Sequence, residues 1–122
     1  PKEVFEQNKY TIQSDIYQVG VTMFQILGGY FPGAYFDWLT EKEKQKFLQI
    51  TGAYNQSIFL EKVIQKLVTR NKLLKFDTLP PYINSSIVKV IKKATNPRLN
   101  IRYANTGEFM NDLYKVQKRL VN

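Results

Sequence analysis

Asp15 is the carboxylate with the most unusual setting in this chain. It follows Ser14 at the mouth of SDIYQVGVTMFQILGG, the most apolar run in the sequence. Ser14 has the type of a helix cap, accepting a backbone N–H, and Asp15 in a first turn suits the positive end of the helix dipole. Other routes to chemistry are few. The 122 residues include no cysteine and no histidine. Thiolate ligands, a thiol nucleophile and imidazole acid–base chemistry are therefore excluded, which leaves a carboxylate pair, a lysine, or no chemistry of its own. Asp37, Glu41, Glu43 and Asp112 fall at expected helix starts or exposed positions and read as capping and solubility. Glu61 and Lys62 read as a solvated helix face. The glycine pair Gly28-Gly29 follows a helix pattern and not a strand, so it is no phosphate cradle.

The elements that must position these residues come from periodicity. Residues 1–13 lack a clean period and read as a loop. From Ser14 to Gly29 the polar residues Gln18, Thr22 and Gln25 make one narrow stripe, and the remainder is apolar. Such a helix is expected to be buried nearly all round, ending at Gly28-Gly29. Residues 30–38, YFPGAYFDW, read as an aromatic loop broken by Pro32 and Gly33. Thr40 and Glu43 have capping-box spacing and open a helix to about Ile50. Ser57 is the expected cap of a further helix reaching about Arg70, with Phe59, Val63, Ile64 and Leu67 on one face. Residues 71–83 hold Pro80-Pro81 and read as an extended connector. Residues 84–95 are amphipathic through Ile87, Val90, Ile91 and Ala94. Residues 96–107 read as a loop, and a last helix runs from about Thr106 to Leu120 with Phe109, Met110, Leu113, Val116 and Leu120 inward. No strand pattern, internal repeat or low-complexity tract appears. The expected fold is all-α, with about five helices around a buried central helix.

Hydrophobic residues make up 43% of the chain and aromatics 14%, a composition that can fill one moderate core. The formal net charge is +8. Such a balance raises nonspecific affinity for acidic partners. The lysines are scattered through helical stretches without a basic block, so nucleic acid is disfavoured as a partner and solubilised faces are favoured. The start, PKEVFEQNKY, is polar and shows no signal peptide. The longest apolar run falls short of the roughly 20 residues of a membrane span, so no membrane partner is expected. The absence of cysteine fits a reducing, cytoplasmic compartment.

The order of three motifs carries a resemblance. PKE at the start, SDIYQVG at the central helix and NPRLNIR before the last helix resemble the C-terminal half of the protein kinase catalytic domain. In that family an Ala-Pro-Glu motif closes the activation segment. Glu3 matches its glutamate, while Pro1 and Lys2 depart from it. The family's buried helix opens Ser-Asp-Ile/Val-Tyr/Trp-Ser-Leu-Gly, matched at Ser14, Asp15, Ile16, Tyr17 and Gly20. Its last loop has Asp-Pro, a spacer and Arg, matched by Asn96-Pro97 and Arg102. Arg98 lies close by, but Tyr103-Ala104 after Arg102 suit the family's pattern better. Residues 30–80 are longer than the usual link, and correspondence there is loose.

The resemblance implies that residues 1–122 are a partial kinase-like domain, the helical base of a serine/threonine protein kinase. Asp15, with Ser14 and Gly20, would anchor the catalytic loop. Glu3 and Arg102 would form an ion pair, and breaking a buried pair costs about 3–5 kcal/mol. The bland alternative is two solvated charges, worth about 0–1 kcal/mol. The glycine-rich loop, strand lysine, catalytic aspartate and metal-binding aspartate belong upstream in this family. ATP and Mg²⁺ are thus expected for the intact parent, and no cofactor, metal or catalytic residue in this chain. Partners would be the remainder of the kinase domain and protein substrates docking on the helix of residues 57–70. Self-association is expected through apolar surface that the remainder would cover. The alternative is a kinase-derived pseudokinase or protein-interaction module.

Overall fold

Lys, Glu and Gln supply five of the first twelve residues, and neither Gly nor Pro interrupts residues 2–19. These are good helix formers. In the computed structural model, which describes residues 2–121 and the side chains of residues 7–117, they extend the central helix backwards. Helix α1 spans Lys2–Ile26. The expected loop over residues 1–13 is thereby corrected, and so is the capping role of Ser14, which lies mid-helix with Asp15. Residues 7–12 are all exposed. A solvated helix stretch carries no apolar stripe, so periodicity could not reveal it.

Four further helices follow: α2 (Glu41–Gln49), α3 (Ala53–Thr69), α4 (Ser85–Ala94) and α5 (Thr106–Val121). Two short 3₁₀ turns, Tyr35–Trp38 and Phe76–Thr78, interrupt the stretches expected to be loop and extended connector. Among the described residues there is no strand, and the fold is all-α. The Thr40–Glu43 capping box forms as expected, with both reciprocal hydrogen bonds present. Ser57 is no cap: α3 starts four residues earlier, after Gly52 at φ 93°, and the Ser57 hydroxyl donates to the Tyr54 carbonyl.

The chain divides into two compact units, Pro1–Tyr30 with Leu74–Asn122, and Phe31–Leu73. In the first, α1 packs on α4 and α4 on α5. Ile16, Val90, Ala94, Tyr103, Phe109 and Val116 form its core, with Met23, Ile87 and Leu113 packed against it. In the second, α3 packs on α2 and on the Tyr35–Trp38 turn. The Trp38 indole is buried, donates to the Leu73 carbonyl at 3.2 Å and meets the Phe31 ring edge-on at 4.9 Å.

Burial of α1 is confined to one side. Gln13, Ile16, Gly20, Val21 and Phe24 are buried, while Val19 and Ile26 are 47% and 77% exposed. The expectation of burial nearly all round is corrected accordingly. The neighbours α4 and α5 pack against the same side of α1 and cover one stripe of it, whatever the residues on its other faces. The C-terminus of α1 behaves as its glycines predict. Gly28, at φ 101°, donates to Gln25 O, and Gly29 donates to Phe24 O. This is a Schellman closure, which needs the left-handed residue that glycine supplies.

Candidate functional site

The loop between α4 and α5 is tied to α1 by a reciprocal clamp. Asn96 starts it: its side-chain oxygen accepts from the Arg98 N–H at 2.9 Å, and the Arg98 carbonyl then accepts from the Arg102 N–H at 3.0 Å. This turn reverses the chain. Arg98 is left exposed and Arg102 is half-buried against the helix. The Arg102 guanidinium donates through Nε to the Asn96 carbonyl at 2.8 Å and through Nη1 to the Gln13 carbonyl at 3.0 Å. It also lies 5.0 Å over the Tyr17 ring.

Gln13 answers from the helix side. Its side chain is 2% exposed, and its amide donates to the Leu99 carbonyl at 2.8 Å and the Tyr103 carbonyl at 3.2 Å. A buried amide satisfied this fully fixes register as well as stabilising. Burial lowers the Arg102 pKa and raises that of Tyr17, while each group's charge opposes the shift in the other. The guanidinium remains charged at any physiological pH.

Tyr103 completes the cluster from below. It is 1% exposed, stacks on Phe109 at 5.2 Å and donates its hydroxyl to Asp112 at 2.7 Å. Burial, then that hydrogen bond, pushes the phenol well above its ordinary value. Asp112 was expected to serve solubility and instead accepts a hydrogen bond from a core residue. The start of α5 is pinned reciprocally, with Glu108 N donating to Asn105 and Ala104 N donating to the Glu108 carboxylate.

The structure thus brings together two of the motifs singled out in the sequence, SDIYQVG and NPRLNIR. Gly20 has a packing role there. A Cβ on it would meet Thr95 Cγ2 at 2.7 Å and Ala94 Cβ at 3.1 Å, so only glycine lets α4 approach this closely. Ser14 is half-buried beside the clamp. Asp15 is exposed and makes no hydrogen bond or ion pair among the described residues. The side chain of Glu3 lies outside the described residues, as does that of Leu120, so the expected Glu3–Arg102 pair is neither seen nor opposed. Gln13 escaped sequence reading because it fell in the supposed loop. Its place three residues before Ile16, on the same helical stripe, was the available signal.

Chemically, the clamp holds a loop on a helix. Its cation, phenols and carboxylate are engaged with one another or with carbonyls. No three Asp, Glu, His or Cys side chains gather to hold a metal among the described residues, and Gly28-Gly29 is occupied in closing α1. No helix among the described residues is long and apolar enough to cross a membrane. Comparison with protein-family models, with curated proteins and with solved structures gives no match for this chain.

Proposed function

We propose that this chain is the helical base of a serine/threonine protein kinase catalytic domain, in which it supports the catalytic loop and offers a docking surface to protein substrates. The observation that carries this reading is the choice of arginine. Of the two in the last loop, Arg102, the one the resemblance matches to the family's arginine, folds back onto the SDIYQVG helix and donates to the carbonyl just before Ser14. Asp15 supports it in a second way. An exposed carboxylate with no described partner is available to accept N–H donors from a segment outside this chain. Phosphotransfer, ATP and Mg²⁺ belong to the parent.

The test joins this chain to the residues encoded before Pro1 and measures phosphate transfer from ATP to a protein substrate. Transfer that falls by about a hundredfold or more in Asp15→Ala, with the isolated chain equally stable with or without the substitution, is the expected result. Upstream residues lacking the strand lysine and both aspartates reject an active parent. They leave the second reading, a kinase-derived interaction module, which is favoured by the groove between α2 and α3, where Lys46, Lys62, Lys66 and Arg70 are exposed and make no ion pair among the described residues.

A further inference from the structure

Helices α2 and α3 enclose an open groove of about 570 Å³ within the Phe31–Leu73 unit. Its lining includes Phe59, half-buried, and Val63, buried, beneath the four cations Lys46, Lys62, Lys66 and Arg70. All four cations are exposed, and none makes an ion pair among the described residues. The one acid lining the groove, Glu43, is turned to its own helix start, where its carboxylate accepts from the Thr40 N–H at 2.9 Å.

Folding does not account for this pattern. Lys62, Lys66 and Arg70 stand at i, i+4 and i+8, a row about 12 Å long at 1.5 Å per residue. Like charges four apart on a helix repel. The helix dipole explains the cations at the end of α3 and Lys46 in the last turn of α2, but not Lys62. On the opposite edge of α2, by contrast, Lys44 is paired with Glu41 at 3.8 Å.

We propose that this groove binds an acidic amphipathic peptide segment of a partner protein, carboxylates on the row of cations and apolar side chains against Phe59 and Val63. The occupant follows from complementarity. A floor of apolar side chains suits the buried stripe of an amphipathic helix, and cations at helical repeat match acids at the same repeat. Nucleic-acid interfaces are more uniformly polar and larger than this short groove. The inference deepens the docking part of the proposed function and rests on it, but needs no phosphotransfer.

The test is fluorescence anisotropy of the full chain with a labelled helical peptide carrying glutamates at i, i+4 and i+8 and leucines on the adjoining stripe. Saturable binding is expected, weakened about tenfold or more in Lys62→Glu/Lys66→Glu and unchanged within about twofold in Lys89→Glu/Lys115→Glu, which alters charge elsewhere. The same peptide with glutamine for glutamate leaves the protein intact and should bind about tenfold more weakly. Absence of saturable binding overturns the proposal. So does equal binding of the glutamine peptide, equal loss in the two charge-reversed proteins, or a labelled single-stranded oligonucleotide that binds as tightly with the same sensitivity. Peptide binding in a protein whose parent lacks the kinase motifs would reject the kinase reading and keep the groove. No binding beside an active parent would do the reverse.

Discussion

Replacing Arg102 with alanine removes two hydrogen bonds from a charged donor and one stacked ring. The guanidinium is only half-buried, so each bond is discounted to the bottom of the charged range or just below it, about 1–1.5 kcal/mol. Its position over Tyr17 adds about 0.5–1 kcal/mol. The expected cost is therefore about 2.5–4 kcal/mol, read by urea denaturation. It corresponds to a drop in Tm of about 6–15 °C for a chain of this size. Arg102→Lys keeps the charge but cannot reach Asn96 and Gln13 with one planar group, so it should recover less than half of the loss. Gln13→Ala leaves the Leu99 and Tyr103 carbonyls unpaired in a buried place and should cost about 1–3 kcal/mol. Because both residues hold the same loop, the double variant should be non-additive by at least about 0.5 kcal/mol. A loss under about 0.5 kcal/mol for Arg102→Ala would mean a solvated surface charge and would refute the clamp. Measured alongside, Glu3→Ala costing about 3–5 kcal/mol would supply the carboxylate partner that the family resemblance implies.

Three further outcomes are expected. Gly20→Ala gains about 1 kcal/mol of helix propensity but drives a Cβ into Thr95, whose hydroxyl is held on the Ile91 carbonyl at 2.8 Å. A net loss of about 1–3 kcal/mol should appear in thermal melts, and Thr95→Ser, which removes the clashing methyl, should restore most of it. Tyr103 and Tyr17 have folded-state pKa values raised above the unfolded value. Their contribution is complete below about pH 10, the unfolded phenol value, and is lost as pH rises above it. Stability should therefore fall on the alkaline side, and Tyr103→Phe should flatten that slope while costing about 1–2 kcal/mol at neutral pH through the lost bond to Asp112. Ile12, Val19 and Ile26 are exposed on α1 at intervals of seven residues, a single apolar stripe. Sedimentation should show concentration-dependent self-association that Val19→Lys/Ile26→Lys abolishes, and a wild-type monomer that binds no hydrophobic dye would contradict it.

Wherever an element carried its own local signal, the amino-acid order alone determined it. The Thr40–Glu43 capping box, the glycine closure of α1, the amphipathic α4 and the start of α5 each rest on residues within a turn of one another. Local hydrogen bonds and a buried stripe leave periodic traces. The amino half of α1 left none because it is solvated, and Ser14 consequently looked like a cap. The site divides in the same way. Arg102 and Gly20 were legible through the spacing of their motifs, but what they touch was not. Which face of α1 is buried, which arginine turns inward, and that Asp112 meets a core tyrosine all depend on residues up to 90 positions apart. Only the packing of α4 and α5 on α1 decides them, since long-range hydrogen bonds and close helix approach have no local periodicity to reveal them.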